Sequence, residues 1–311
     1  MHQLTCNISI GGFQFNYVTD VTIDSSWKKL TDTAVITLPR NLTWEGDNLR
    51  ELIKRGDPVQ INLGYDFQER QEFVGYVSGL KATTPTQIEC EDSMWLLKQT
   101  NHTESWQSTT LQEVLQSIVP ETIQFEALDV ELGPFRFSKV STVKVLQELK
   151  KKYGLVSFFR DRTLVVGFPY PDVPENVELH FQGNVVRNDL TYRRDDDIQI
   201  RVSAISIQPD GSKIEEVVGD PDGERHTLHF YNLPKAELIR QATEEMKKLR
   251  IEGYRGRITS FGIPFIAHGD TATLYDTDYP ERQGTNFVDE VKVMFGQNGF
   301  RRISKIGAIA S

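Results

Sequence analysis

Two histidines come closest to a transition-metal site in this sequence. His226 and His229 lie three residues apart in "HTLHFYNL", a stretch whose pattern predicts a strand. Residues i and i+3 of a strand point to opposite faces, so the two imidazoles would not converge on one ion. We therefore interpret the pair as structural and predict no metal ligand in the chain.

Acidic residues offer oxygen ligands for a hard cation in two stretches. Three consecutive aspartates at 195–197 follow Arg193 and Arg194, which supply local charge partners. We interpret this run as a solvated turn or strand end, because neighbouring exposed charges of opposite sign are common and contribute little.

The second acidic stretch, "GDPDGERH", contains Asp220, Asp222 and Glu224. It lacks the length and spacing of a twelve-residue calcium loop. The proline and glycine between the acidic residues instead predict a hairpin turn.

No catalytic motif accompanies these residues. The sequence contains no Gly-x-Ser-x-Gly, no Gly-x4-Gly-Lys phosphate loop, no His-Glu-x-x-His and no Cys-x-x-Cys. We therefore predict that the protein is not an enzyme and that it has no catalytic residue, no cofactor-binding residue and no cofactor. A carboxylate pair suited to glycoside hydrolysis stays open, because the required separation is a property of the fold.

Aromatic residues and one tripeptide keep two binding functions open. Trp27, Trp44, Trp95 and Trp106 are side chains of the type that stacks on sugar rings, although "SMWLLK" places Trp95 in a pattern typical of core. The tripeptide at 55–57, Arg-Gly-Asp, is a receptor-adhesion signal in other proteins. Here it precedes alternating apolar residues in "RGDPVQINLGYD", which indicates a turn that leads into a half-buried strand.

Composition limits the class of protein. The chain has 311 residues, 38% of them hydrophobic and 25% charged, which allows about two folded domains. Cys6 and Cys90 are the only cysteines, which fits a protein made in a reducing cytoplasm, and no secretory signal or membrane-length apolar run is present. The net charge of −9 disfavours a nucleic-acid binder but suits a surface past which nucleic acid moves without adhering.

The pattern along the chain changes twice. Residues 1–100 predict strands with one short helix in "DNLRELIKRG". Residues 101–174 predict two helices, one starting at a capping box formed by Thr110 and Glu113 and one ending at Gly154, followed by a hairpin and the proline-rich "PYPDVP". After residue 175 strands return around one long helix, whose apolar stripe includes Leu238 and Ala242.

The turn at Gly56-Asp57 has a second copy late in the chain. "HGDTATLYDTDY" places Gly269-Asp270 before alternating apolar residues, as in the first copy. Downstream, "EFVGYV" and "NFVDEV" align Phe73 with Phe287, Val74 with Val288 and Val77 with Val291, at nearly matched distances from the two turns. We therefore predict two related β-barrel domains, at 1–100 and 175–311, with a small α+β region inserted between them at 101–174.

Three stretches carry a resemblance to a known family. "EFVGYVSGLKATTPTQIECEDSMWLLKQ" resembles the first domain of phage baseplate hub proteins of the late-control-protein-D-like family. "STVKVLQELKKKYGLVSFFRDRTLVVG" is similar to that family's inserted domain, and "NVVRNDLTYRRDDDIQIRVSAIS" with "GDTATLYDTDYPERQGTNFVDEVKVMFGQNGFRRISKIG" to its second barrel. The resemblance covers most of the chain in the expected order and rests on pattern rather than on an invariant motif.

The resemblance implies a structural role in a contractile tail or a related injection machine. Family members form homotrimers in which two barrels per chain make a pseudo-sixfold ring, and this ring adapts a hexameric tail tube to a trimeric central spike. The expected partners are therefore a second and third copy of the chain, a tail tube protein, a separate spike protein and other baseplate proteins. DNA is expected to pass through an acidic or neutral lumen without specific binding. The expected location is the virion baseplate, after synthesis in the host cytoplasm.

Overall fold

Strands dominate the structure and helices are few, so the predicted β-dominated α+β class is confirmed. The structure is a computed structural model that describes residues 2–39, 43–44, 47–48, 52–81, 84–171, 173–194, 198–250 and 252–310. The described helices are α1 (Met94–Leu97), α2 (Leu111–Ile118), α3 (Thr142–Tyr153) and α4 (Lys235–Leu249). The described strands are β1 (Leu4–Ile10), β2 (Phe13–Phe15), β3 (Asp20–Ser26), β4 (Thr33–Thr37), β5 (Thr43–Trp44), β6 (Asp47–Asn48), β7 (Pro58–Tyr65), β8 (Gln68–Lys81), β9 (Gln87–Glu91), β10 (Asn101–Thr110), β11 (Phe125–Ala127), β12 (Glu131–Ser141), β13 (Val156–Arg160), β14 (Thr163–Gly167), β15 (Asn176–His180), β16 (Val185–Arg193), β17 (Ile200–Ile207), β18 (Lys213–Gly219), β19 (Glu224–Tyr231), β20 (Gly253–Phe261), β21 (Thr271–Tyr275), β22 (Gly284–Gly296) and β23 (Gly299–Ile309).

Two sets of six strands share one topology. The N-terminal β-unit consists of β1, β3, β4, β7, β8 and β9, and the C-terminal β-unit of β15, β16, β20, β21, β22 and β23. Numbered one to six along the chain, the strands of each unit lie in the spatial order 1-4-5-6-3-2. One pairing differs, because β1 runs antiparallel to β7 whereas β15 runs parallel to β21. The two units are therefore related in topology.

The two β-units join into one sheet instead of closing separately. The second half of β22 pairs antiparallel with β3, so that β16, β20, β23, β22, β3, β4, β9 and β8 follow one another across a continuous sheet. Among the described strands no closed barrel forms, which corrects the prediction of two barrel domains. One hydrophobic core underlies both units and includes Ile8, Ile36, Ile88, Ile258, Val288 and Ile306. The alternation of apolar and polar residues buries one face of each strand and leaves the other solvated.

The two Gly-Asp turns have the same hydrogen bonds. The Asp57 carboxylate accepts a hydrogen bond from the backbone N of Lys54 at 2.8 Å, and the Asp270 carboxylate accepts one from the backbone N of Ala267 at 2.8 Å. The glycine before each aspartate has φ of +92° in the first turn and +88° in the second, a conformation that favours glycine. The tripeptide at 55–57 therefore forms the predicted turn into a strand.

The strand that follows each turn has a different register from the predicted one. The turn glycine donates its N–H to Val77 in the first unit and to Val288 in the second, at 2.8 Å in both. Val77 is thus equivalent to Val288, and the predicted alignment of Val77 with Val291 is wrong by three residues. The first hairpin contains a β-bulge between Ile61 and Asn62 and is longer than the second, so sequence spacing misaligned the two strands.

The corrected register holds across the sheet. Both β8 and β22 have a bulge directly after the equivalent valines, between Val77 and Gly79 and between Val288 and Glu290. Following the cross-strand pairs from these bulges through the neighbouring strands of each unit shows which residue of the N-terminal unit is equivalent to which residue of the C-terminal unit. These pairs are Gly79/Glu290, Lys81/Lys292, Val35/Arg257, Glu89/Lys305, Asp20/Arg187, Thr22/Asp189, Asp24/Thr191 and Ser26/Arg193.

Two smaller regions, each containing strands and helices, are inserted into this framework. The first contains the ribbon β10–β12, the three-stranded sheet β11-β14-β13, α2 and α3, and it has its own core. The predicted capping box is present, since the Glu113 carboxylate accepts from the backbone N of Thr110 at 2.9 Å. The second insertion contains β18-β17-β19 covered by α4, with Leu238 and Ala242 buried as predicted. Asp47, predicted near a helix start, lies in the two-residue strand β6, and most of the rest of that stretch lies outside the described residues.

A buried ion pair links the two β-units. Arg302 on β23 and Glu72 on β8 approach to 2.6 Å between Nη2 and Oε1, with side chains only 1% and 3% exposed. The guanidinium also donates to the carbonyl of Gly262 at 3.1 Å and lies 4.8 Å from the ring centroid of Phe265. Burial raises the pKa of Glu72, although Arg302 opposes that effect.

Replacing Glu72 with alanine is expected to lower the free energy of unfolding by about 3–5 kcal/mol, because it leaves the Arg302 guanidinium buried without its carboxylate. Urea unfolding monitored by tryptophan fluorescence measures the loss. The control is Glu89→Ala, which removes the partner of Lys81 in an exposed pair and is expected to cost less than about 1 kcal/mol. Equal losses in the two variants would contradict the structural role of the buried pair.

Candidate functional site

The joined sheet has backbone edges without a strand partner at both ends of its eight-strand run. Among the described residues, β16 pairs on one side only, with β20. Within the same described residues, the stretch 78–81 of β8 pairs with β9 on one side and with no strand on the other, because the pairing of β7 with β8 ends at Tyr76. Unpaired N–H and C=O groups of this kind readily accept another strand.

The same stretch in the C-terminal β-unit is occupied. Residues 290–296 of β22, which follow Val288 as 79–81 follow Val77, pair with β3 of the same chain. Within that seam Glu290 lies opposite Ser26, and Lys292 lies opposite Asp24. β16 has the same place in the C-terminal unit as β3 in the N-terminal unit. The two open edges, on β8 and β16, are therefore equivalent to the two strands, β22 and β3, that already pair within the chain.

A cluster of side chains around Asp289 holds this seam. Asp289 is the bulge residue of β22, and its Oδ1 accepts from Trp27 Nε1 at 3.1 Å and from Tyr170 Oη at 2.5 Å. Its Oδ2 lies 2.7 Å from Lys28 Nζ. Lys150 at the end of α3 in turn donates to the carbonyl of Lys28 at 2.6 Å. One carboxylate thus connects the C-terminal unit with the N-terminal unit and with the segment that joins them.

The cavity at the junction of the two units and the first insertion measures about 570 Å3 and contains buried acidic groups. Asp32 accepts from Ser25 Oγ at 2.5 Å and from the backbone N of Ser26 at 3.0 Å. Asp92 accepts from the backbone N of Asp32 at 3.0 Å. His268 Nε2 lies 4.0 Å from Asp32 Oδ2, beyond hydrogen-bond distance.

Burial controls the ionisation of these groups. It raises the pKa of Asp32 to about 6 and raises the pKa of Asp92 well above its ordinary value, with the charge of Asp32 adding to the effect on Asp92. It lowers the pKa of His268 to about 4, and Arg160 adds to that decrease. Backbone N–H groups and the Ser25 hydroxyl already donate hydrogen bonds to the two aspartates. We therefore interpret this cluster as structural.

The predicted ligand candidates do not converge. His226 has Glu224 as its nearest charged neighbour, at 3.6 Å, whereas His229 packs against Gly154 of the first insertion. Asp220 accepts from the backbone N of Ile200 and from Arg250. The aspartates at 195–197 lie outside the described residues, and the described part of the chain contains no group of three or more metal-type ligands.

The turn at 220–223 differs from the predicted hairpin turn. It connects β18 to β19, which both pair with β17 and not with each other. The backbone N of Asp220 donates to the carbonyl of Ile200 at 2.8 Å, where the connection passes the start of β17. The turn residues were recognisable from the sequence, but the crossover depends on pairing with a third strand.

The tryptophans have different surroundings. Trp27 donates to Asp289, and Trp95 stacks on Tyr76 at 5.4 Å between ring centroids. Trp106 lies 5.8 Å from the ring of Phe137 in a groove of about 650 Å3 between the β10–β12 ribbon and α3. The side chain of Trp44 lies outside the described residues. Trp106 lines this groove together with Phe135 and Phe137.

The fold is that of phage tail proteins. It is similar to the tail protein from Neisseria meningitidis MC58, with a TM-score of 0.67, 16% identity, and 98% of this chain and 96% of that one covered. It is similar to the 43 kDa tail protein of prophage MuSo2 from Shewanella oneidensis, with a TM-score of 0.64, 15% identity and 97% of each chain covered. A further similar structure is the c3393 protein of E. coli, a component of the type VI secretion system, with a TM-score of 0.60, 11% identity, and 98% and 77% covered.

Sequence comparison adds no family assignment. No protein-family model matches the chain, and no curated protein matches it. At these identities the structural similarity establishes the fold alone. Within the described residues, no helix has both the length and the apolar character that crossing a bilayer demands.

Asp32→Asn is expected to flatten the pH dependence of stability. The folded pKa near 6 exceeds the ordinary value near 4, so the folded protein binds more protons than the unfolded chain in that window, and the free energy of unfolding falls as pH rises through it. An amide donates to Ser25 without ionising, so at pH 7.5 the variant is expected to be more stable by about 1–2 kcal/mol. Urea unfolding between pH 4 and 8 measures both effects.

The control for this measurement is Asp222→Asn, a change of the same kind in an exposed turn. Its stability profile is expected to run parallel to that of the unsubstituted protein. A profile for Asp32→Asn that is also parallel would show that Asp32 does not titrate as its surroundings indicate.

Proposed function

We propose that the protein is the structural baseplate hub of a contractile phage tail or a related injection machine, acting as a homotrimeric ring between a hexameric tail tube and a trimeric spike. The observation that carries the proposal is the matched pair of open edges on a duplicated sheet. One seam between the units is made within the chain, by β22 and β3. The equivalent seam, between β8 and β16, requires a second copy.

The equivalent positions define the register of this second seam. Glu290 and Lys292 face Ser26 and Asp24 within the chain. By equivalence, Gly79 would face Arg193 of the neighbouring copy and Lys81 would face Thr191. Each copy would use both of its open edges, so the contact is heterologous and generates a ring if the rotation closes.

A ring of three copies would enclose a water-filled channel. Each chain contributes eight strands, which makes 24 strands in a trimer. At about 4.8 Å between strands the circumference is about 115 Å and the backbone diameter about 37 Å, before strand tilt widens it. Barrels of this strand number enclose water. The hydrophobic core covers the other face of the sheet, so the solvated face would line the channel.

The proposed ring has three identical chains but six similar sheet units, which is the property an adaptor between sixfold and threefold partners requires. The partners in this proposal are two further copies, a tail tube protein, a separate spike protein and other baseplate proteins, and DNA passes through the ring. The similar structures are tail proteins and a type VI secretion component, which supports a structural, non-enzymatic role in the virion baseplate.

The alternative function is carbohydrate binding or adhesion, and it rests on one observation. The groove beside Trp106 combines the rings of Phe135 and Phe137 with polar side chains of α3, such as Lys144 and Glu148. Aromatic platforms next to hydrogen-bonding groups suit sugar rings. Reproducible binding to a glycan array that Trp106→Ala abolishes would favour this function over the hub, and release of reducing sugar from cell walls would favour a hydrolase.

Lys81→Cys combined with Thr191→Cys is expected to cross-link separate chains under mild oxidation, because the proposed seam places these residues opposite each other. Denaturing electrophoresis without reductant is expected to show bands up to the mass of three chains. Light scattering under reducing conditions is expected to give the trimer mass. Cys6 and Cys90 are buried and do not compete.

The matched control is Asp24→Cys with Lys292→Cys, the equivalent pair of the seam within the chain. It is expected to oxidise without any increase in chain number. If this control oxidises while the first pair gives only single chains at concentrations where light scattering detects oligomers, the proposed register is wrong. If no oligomer forms even with a spike protein present, the ring itself is wrong.

A further inference from the structure

The solvated face of the joined sheet differs in charge between its two units. In the C-terminal unit this face has Arg187, Arg257, Lys292 and Lys305 on adjacent strands. The equivalent residues of the N-terminal unit are Asp20, Val35, Lys81 and Glu89, in the same order. At three of these four positions a cation of the C-terminal unit corresponds to an anion or an apolar residue of the N-terminal unit, so cations concentrate in one half of the face.

These cations surround a shallow depression. It measures about 290 Å3 and is lined by Lys29, Arg257, Lys292 and Lys305, together with Asp24 and Glu290. Local ion pairs neutralise the charge only in part. Lys292 lies 3.8 Å from Asp24, and Lys305 lies 3.3 Å from Glu290, with the two lysine side chains 43% and 37% exposed.

The other two cations are not neutralised in this way. Within the described part of the chain, Arg257 and Lys29 form no ion pair, and both are exposed. Asp189 lies next to Arg257 on the adjacent strand without an ion pair between them. The depression is therefore positively charged although the whole chain carries a net charge of −9. Exposed pairs are also weak enough for a competing anion to replace them.

We propose that this basic depression binds the phosphate backbone of nucleic acid without sequence specificity. Arg257 lies directly opposite Lys305 on the neighbouring strand, about 4.8 Å away, and Lys292 lies diagonally from Lys305, about 7–8 Å away. Cations at these spacings can contact neighbouring phosphates of a nucleic acid, which carries one phosphate charge per roughly 3.4 Å of each strand. A folded acidic protein seldom presents charge at that density, so nucleic acid fits better. The contacts involve phosphates, not base edges, and so give affinity without sequence preference.

The site changes the expected role of the channel. An acidic or neutral lumen would let nucleic acid pass without adhering, whereas this surface would retain it until salt or an applied force releases it. The site belongs to one chain and does not require the ring. In the proposed trimer it would occur three times, alternating with the acidic N-terminal sectors that contain Asp20 and Glu89.

The test is binding of a fluorescein-labelled, mixed-sequence 25-bp DNA duplex, followed by fluorescence anisotropy between 50 and 200 mM NaCl. The unsubstituted protein is expected to bind at 50 mM and to lose affinity with a log–log salt slope of about −3, as three to four phosphate contacts require. Arg257→Glu combined with Lys305→Glu is expected to weaken binding at least tenfold and to reduce the slope. Arg257→Gln is expected to weaken binding less, in the same direction.

The control has the same charge change at a distance from the site. Lys235→Glu combined with Arg240→Glu lies on exposed positions of α4 and is expected to leave the affinity nearly unchanged. Melting curves establish that all variants are folded, and light scattering reports the assembly state, so failure of the ring is distinguished from failure of the site. Equal weakening by both double variants, or no binding at 50 mM salt, would overturn the proposal. Competition by poly-glutamate as effective as by DNA would overturn the choice of nucleic acid.

Discussion

The backbone hydrogen bonds of a β-sheet edge are the constraint on which this structure depends. In each unit, one strand (β8 or β22) pairs along its first half with the preceding strand of the same unit (β7 or β21). After a bulge, its second half pairs with the following strand of the unit (β9 or β23) on one side only, and the other side is left for a strand from elsewhere. In the C-terminal unit the chain itself supplies that strand, since β3 pairs with 290–296 of β22. The duplication therefore makes one copy of the seam and leaves the components of another exposed. Exposed edges of this length are a liability unless assembly covers them, which gives the duplicated fold a physical reason to oligomerise.

The sequence identified the duplication through its most local signal. A glycine with positive φ followed by an aspartate that accepts from the backbone three residues earlier is determined within four residues, so Gly56-Asp57 and Gly269-Asp270 were both recognisable. The strand register was not, because it depends on where bulges occur. The bulge at Ile61–Asn62 lengthens the first hairpin and has no counterpart among the pairs of β21 with β22. The Phe-Val-x-x-Val similarity therefore aligned residues that are not equivalent.

Long-range pairing explains the other gaps between sequence and structure. Alternation in β3 and β22 predicts two half-buried strands but does not indicate that they pair across more than 260 residues. Asp289 shows the same limit at the level of a side chain. In "NFVDEV" its only signal is an aspartate inside an apolar strand, a place where aspartate is unfavourable. Asp32 directly precedes β4 and Asp92 directly follows β9, where aspartates are ordinary turn residues, and only the folded chain brings them together in a buried pair.

The two seams differ in what reinforces the backbone. Within the chain, Asp289 binds Trp27 and Lys28, and Arg302 pairs with Glu72. In the N-terminal unit, Ser78 in the bulge of β8 is equivalent to Asp289, and Thr86, directly before β9, is equivalent to Arg302. Neither the carboxylate cluster nor the buried cation is therefore repeated at the other seam. The first seam is thus fixed by charged side chains whose loss would be costly, whereas the second depends mainly on backbone pairing and exposed residues. A seam of that kind can stay open while the chain folds and close only when copies or a partner bring the edges together. The difference between the halves of the duplication then separates folding of the chain from assembly of the ring.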